Sequence, residues 1–214
     1  FWGKEFYHQT IMTVSCYWYL LLIVLIFTSF SVSFNQGKIQ LTKYEKSIPK
    51  NMINENTFEL PLRNGIKPKT TPSNPHMQLN QQPEDRKLVD SLMDWAFSLP
   101  EINKEFSKIS VPGAQAMCLS SDKMCNDCHA FMIGNEFAHF HPVPDGSMHL
   151  GLTLKDAEYV ISRGWGELHP VAKMGYLTHN FIMVYAPRNE EEKEIIKKII
   201  LRSYLFATGK LNDK

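Results

Sequence analysis

The strongest constraint on this chain is one uninterrupted uncharged segment, Val14 to Phe34, reading VSCYWYLLLIVLIFTSFSVSF. At helical rise it is about 31 Å long, enough to cross a bilayer. Its densest part, Leu20 to Phe27, is followed by Thr28, Ser29, Ser31 and Ser33, small polar residues that suit a cleavage site. Residues 12–34 therefore read as a signal peptide or a retained transmembrane anchor. The first places the protein in the secretory pathway or outside the cell. The second fixes it to the endoplasmic reticulum or another endomembrane through residues 14–34. Lys38, Lys43, Lys46 and Lys50 follow the block, so a retained helix would leave the C-terminal part on the cytosolic side. Met12 is a conventional start, and residues 1–11 are expected to be upstream sequence read in frame.

Residues 35–83 are rich in Asn, Gln, Lys, Thr and Pro, and the stretch from Pro61 to Pro83 has prolines at 61, 68, 72, 75 and 83. Proline at that density blocks helix and central strand alike, so the stretch reads as an extended linker. A compact domain is expected over 84–209. The formal net charge of the whole chain is +1, which removes the electrostatic footprint of a nucleic-acid binder. Nothing in the sequence sets an oligomeric state.

Within the domain, Pro83 suits the first turn of a helix running from Glu84 to Leu99, with Leu88, Leu92, Trp95 and Leu99 on one face. Residues 109–119 suit a strand broken at Pro112-Gly113. Glu136–His141 and Ser147–Leu152 flank Pro142-Val143-Pro144-Asp145-Gly146 and read as a hairpin. Thr153 caps a helix that stops at Gly164. Phe181–Tyr185 is a strand. Asn189 caps a last helix with Glu190, Glu191 and Glu192 at its positive end and an apolar stripe of Ile195, Ile196, Ile199, Ile200 and Tyr204. The sum is an α+β fold: a single small domain with a mixed or antiparallel sheet and helices packed on it.

The histidines carry the chemistry. His139 and His141 are two apart on a predicted strand and point to one face. Glu136 would point to the other if the strand is regular. Centring the turn near Pro144-Asp145 pairs residues whose numbers sum to about 290, so His141 faces His149. His169 lies in a loop after Trp165-Gly166-Glu167-Leu168. Converging imidazoles can bind Zn or Fe, with His139, His141 and His149 as ligands, or act as base and anion stabiliser without metal. Cys118, Cys125 and Cys128 form a second cluster. Cys125-Asn126-Asp127-Cys128-His129 matches the haem-attachment string, and with Cys118 it also has the makings of a zinc site. In an oxidising compartment one disulfide with one thiol left over is the plainest reading.

Four motifs occur in order: Ala138-His139-Phe140-His141; His149-Leu150-Gly151-Leu152; Gly164-Trp165-Gly166-Glu167-Leu168-His169-Pro170; and Tyr185-Ala186-Pro187-Arg188-Asn189 leading into three glutamates. Together, over residues 136–207, they resemble the fungal luciferase domain family. The resemblance implies an oxygenase-type reaction, in which the fungal enzymes add O2 to the hydroxypyrone 3-hydroxyhispidin and form a peroxide that loses CO2 with emission of light. It implies O2 as co-substrate and no organic cofactor. It makes His139, His141, His149 and His169 candidate catalytic residues. Trp165 and Tyr185 would wall the small-molecule site, and Arg188 would pair with an anionic substrate. The alternatives are a secreted or membrane-anchored module that binds a small molecule or metal without turnover, and a purely structural protein.

Overall fold

A computed structural model describes residues 58–126 and 128–212. The apolar block at 14–34 lies outside these residues, as does the stretch 35–57. Among the described residues no helix is long and apolar enough to cross a membrane.

Six strands form one antiparallel sheet: β1 (Ile102–Phe106), β2 (Gln115–Leu119), β3 (Glu136–Phe140), β4 (Met148–Gly151), β5 (Gly166–Leu168) and β6 (Phe181–Val184), in the order β1-β2-β3-β4-β6-β5. Four α-helices accompany it: α1 (Arg86–Phe97), α2 (Leu154–Ser162), the single-turn α3 (Pro170–Lys173) and α4 (Glu190–Ala207). The α+β architecture expected from the sequence is present, with every strand pair antiparallel.

Each helix starts where a side chain satisfies its free amides. The Asp85 carboxylate accepts from Lys87 N–H, the Thr153 hydroxyl from Asp156 N–H, and the Asn189 amide oxygen from Glu192 N–H. On α1 the buried residues are Leu88, Val89, Leu92 and Ala96, each large one contributing about 2 kcal/mol of transfer free energy. Trp95 sits at the rim, its ring 5.5 Å from the Lys197 ammonium.

Strand alternation sorts the sheet into two unlike faces. Ala138, Phe140, Met148, Leu150, Ile182 and Val184 share one face and are all buried. Helices α1 and α4 lie on that side: the Phe97 ring meets Phe140 at 6.0 Å, and α4 packs on α1, β3 and β4. The other face carries His139, His149, Met183 and Glu167 in one cross-strand row.

That second face is covered by residues 58–82, which the composition had marked as linker. Trp165 Nε1–H donates to the Pro61 carbonyl at 2.7 Å, Arg163 Nε–H to the Leu60 carbonyl at 2.7 Å, and Ala186 N–H to Gln78 Oε1 at 2.8 Å. Leu60, Arg63, His76 and Gln78 are buried. The folded unit therefore begins well before Pro83. Hydropathy missed it because the cover and the face it covers are both polar and satisfy each other.

Candidate functional site

A bulge in β3 builds the first part of the site. Met117 pairs with Ala138 and Cys118 with Glu136, leaving Phe137 as the extra residue. An extra residue reverses the alternation. Glu136 consequently falls on the histidine face, contrary to the regular-strand expectation, and its Oε1 accepts from His139 Nδ1–H at 2.8 Å. Ser107 Oγ–H and Lys108 N–H also donate to Glu136, at 2.7 and 3.2 Å.

The hairpin register differs from expectation by two residues. His139, not His141, is the partner of His149. Paired residue numbers therefore sum to 288 rather than 290, and the His141 N–H to Ser147 carbonyl bond of 2.8 Å continues the ladder. A shift of two keeps every side chain on its face, so the convergence of His139, His141 and His149 is unaffected. Asp145 turns back from the connection. Its Oδ2 accepts from His141 Nδ1–H at 2.7 Å and its Oδ1 from the Ser147 hydroxyl at 2.6 Å.

His76 arrives from the covering segment. Its Nε2–H donates to Glu167 Oε1 at 2.7 Å, and its Nδ1 lies 3.1 Å from His149 Nε2. On the other side of the same ring, His149 Nδ1 lies 3.1 Å from His139 Nε2. A continuous line thus runs Glu136–His139–His149–His76–Glu167. His169 caps α3, accepting from Val171 N–H at its Nδ1, and its ring stands 4.4 Å from that of His149. Five imidazoles and three carboxylates meet at one place, and no histidine among them exceeds 9% exposure.

Electrostatics follow from this burial. Desolvation holds His139 below its ordinary pKa and His149 well below it, and lowers His169 to about 4. All three rings are neutral at pH 7. Burial alone would raise Glu136 and Glu167. Hydrogen bonds from His139 and Ser107 outweigh it at the first, and those from His76, Lys67 and Thr70 at the second, so both stay ionised. Burial, then the nearby Glu167 charge, pushes the Tyr185 hydroxyl up, and it donates to Glu167 Oε2 at 3.3 Å.

Among the described residues two triads could hold a metal ion, His139/His141/His149 and His76/His149/His169, each with ligand atoms within 4.8 Å of one another. His149 belongs to both.

Of the other residues singled out in the sequence, Trp165 and Tyr185 are buried beside Arg63, whose guanidinium carbon is 6.0 and 5.4 Å from their ring centres. The Arg188 guanidinium is engaged by Glu192 and by the Asn64 carbonyl. Cys125 and Cys128 form a disulfide beside the end of α4, and Cys118 is a buried thiol. With their sulfurs joined, the two cysteines of the haem-like string have no thiol for thioether attachment. Sequence reasoning missed His76, Asp145 and Glu167. Asp145 and Glu167 lay within motifs already quoted, while His76 carried no signal beyond being a histidine among prolines.

Fold and site together define an α+β domain whose sheet carries a buried polyhistidine centre on its polar face. Residues 134–203 match the luciferase domain family model. The chain is 31% identical over 167 residues to a luciferase of Armillaria gallica and 30% identical over 167 residues to one of Armillaria ostoyae, in each case 71% of this chain and 62% of the relative. A luciferase of Neonothopanus nambi is 37% identical over 76 residues, 35% of this chain and 28% of the relative. No solved structure matches. Over 71% of its length the chain is thus similar to fungal luciferases, with the luciferase domain signature at residues 134–203. It spans about 62% of the length of the Armillaria relatives.

Proposed function

We propose that this protein is an oxygenase that adds O2 to an electron-rich enolic or aromatic small molecule of hydroxypyrone type, with the histidine cluster as its reaction centre. The observation that carries the reading is the line Glu136–His139–His149–His76–Glu167, in which ionised carboxylates take the outer ring protons and leave ring nitrogens facing inward. Inward lone pairs act as a base or as ligands of Zn or Fe. The enol proton passes to an imidazole nitrogen. The resulting carbanion carbon bonds to O2, which takes two electrons from the substrate, and the proton ends on the distal oxygen of a hydroperoxide. No organic cofactor enters this step. That the relatives from Armillaria gallica and Neonothopanus nambi are luciferases supports the class of chemistry.

The test is oxygen consumption with a hydroxypyrone substrate. His139→Ala should abolish it while circular dichroism shows a folded domain. Turnover that survives the change would remove His139 from the role of base.

Burial favours a second reading. His76, His139, His141 and His149 are each at most 3% exposed, which also suits a module that binds metal or a small molecule without turnover. That reading expects thermal stabilisation by ligand and no product. The Cys125–Cys128 disulfide supports a secretory or extracellular setting for the domain, which goes with the apolar block as a cleaved leader.

A further inference from the structure

The two triads are not equivalent, and counting ring protons separates them. A neutral imidazole carries one N–H and one lone pair. His139 gives its Nδ1–H to Glu136, so its Nε2 is a lone pair directed at His149 Nδ1. His76 gives its Nε2–H to Glu167, so its Nδ1 is a lone pair directed at His149 Nε2. A neutral His149 has one proton for these two contacts, each 3.1 Å long. One contact is therefore a hydrogen bond, and the other sets two lone pairs face to face. A second proton on one of these three rings would cure this at the cost of burying an imidazolium. A metal ion between the facing lone pairs also cures it, and its charge is met by the ligand lone pairs and by the Glu136 and Asp145 carboxylates behind them.

His169 decides which contact the metal takes. Its Nδ1 accepts the Val171 amide proton, so its neutral ring holds its own proton on Nε2 and offers no free lone pair. The triad His76/His149/His169 thus lacks a third ligand. In the other triad, His141 gives its Nδ1–H to Asp145 and keeps Nε2 free. With His149 bound through Nδ1, its Nε2–H is free to donate to His76. Every ring nitrogen of His76, His139, His141 and His149 then has a partner. The 3.1 Å between His139 Nε2 and His149 Nδ1 is close to the ~3.3 Å edge between two nitrogens ~2.05 Å from a tetrahedral ion.

We propose that the sheet holds one divalent transition-metal ion, bound by His139 Nε2, His141 Nε2 and His149 Nδ1 with an open position. Glu136, Asp145 and His76 are its supporting shell, each fixing one ligand ring. His76 is a positioning residue, brought by the covering segment, and His169 is not a ligand. This deepens the reading above, because it assigns roles within the same cluster, but it stands on geometry that involves no substrate. Three imidazoles as the only protein donors suit Zn(II), Fe(II) or Co(II) rather than Mg(II) or Ca(II).

The experiment uses the whole chain in mild detergent, loaded with Zn(II), freed of excess by gel filtration and measured by plasma mass spectrometry. One equivalent is expected. His139→Ala and His141→Ala should lose it, and His169→Ala should keep it. His76→Ala should bind ten- to a hundred-fold more weakly, as expected for loss of an outer partner. Wild-type protein loaded with Co(II) should show the visible bands of a nitrogen-bound four- or five-coordinate ion without thiolate charge transfer, a readout that needs no variant to fold. Folded wild type retaining no metal, two equivalents per chain, unweakened binding in His76→Ala, or loss in His169→Ala as complete as in His141→Ala would each overturn the assignment. A loaded chain inert towards hydroxypyrones would sink the oxygenase reading alone. A metal-free chain that turns them over would sink the metal site alone.

Discussion

Glu136 and His139 are three residues apart on one strand, yet their side chains meet at 2.8 Å. Only the extra residue Phe137 makes this geometry available, by reversing the alternation between them. The bond fixes which His139 nitrogen carries the proton. Glu136→Ala removes the acceptor and strands His139 Nδ1–H, Ser107 and Lys108 N–H together. It should cost about 3 kcal/mol, and Glu136→Gln, which keeps one acceptor, about 1 kcal/mol. Urea midpoints measure both. Equal midpoints for wild type and Glu136→Ala would show that the bond does not matter to the fold.

Acid should unfold the domain in two stages. An unfolded histidine titrates near ~6.5, whereas native His139, His149 and His169 stay neutral to lower pH, His169 to about 4. Below pH ~6.5 the unfolded chain takes up protons that the native site refuses, so stability falls with falling pH by up to about 1.4 kcal/mol per pH unit for each ring. Above that value none of the three contributes. Glu136 and Glu167, both depressed, add stability that is complete above the ordinary carboxylate range and is lost as pH falls below it towards their own lowered values. Melting temperatures at pH 8, 7, 6 and 5 should be level at first and then drop. A temperature that rises between pH 7 and 5 would contradict the neutral rings.

A chain truncated to residues 84–214 should fail to form a stable domain. It would lose Leu60, Arg63, His76 and Gln78 from the interior and leave Glu167 with fewer partners, since Lys67, Thr70 and His76 all bind it. A chain beginning at Asn54 should fold. Near-ultraviolet circular dichroism and dye binding compare the two. A cooperative thermal transition in the shorter chain, at the temperature of the longer one, would return residues 58–82 to the status of a linker.

The elements with apolar periodicity were legible in the sequence. The α1 and α4 stripes, the Thr153 and Asn189 caps and the hairpin pair β3/β4 all follow from local rules. Strand β1, with its exposed Asn103 and Lys104, was not. Nor was β5, whose three residues lay inside a Gly-bounded motif and pair only with β6. For the site, parity alone placed His139, His141 and His149 together, and it survived a register error of two. The remainder depended on a bulge and on a polar segment folding over a polar face. Neither leaves a hydropathy signal, because the stabilising contacts are hydrogen bonds between groups far apart in sequence, such as His76 and Glu167.

Gly166 opens β5 where a side chain would meet the Met183 carbonyl of the neighbouring strand. The clash is with backbone, which cannot rotate away. Gly166→Ala should therefore cost about 1–3 kcal/mol and displace Glu167 from His76. The midpoint shift should accompany weaker Zn(II) retention. A variant as stable as wild type would mean that the edge strand yields without cost.

Cys118 tests the interior from another side. It is 2% exposed, and burial, with the nearby Glu105 and Glu136 charges, pushes its thiol up to about 11. A thiolate is the reactive form, so at pH 8 the native thiol is both shielded and protonated. Cys125 and Cys128 are closed to alkylation as a disulfide. Iodoacetamide applied to native protein should leave all three unmodified, and peptide mapping after labelling in denaturant should find Cys118 alone among them. Addition of reductant before denaturation should add Cys125 and Cys128, which are partly exposed, while Cys118 stays blocked. Rapid labelling of Cys118 in the folded chain would mean that β2 opens readily, and the bulge that places Glu136 against His139 would then be a mobile part of the sheet.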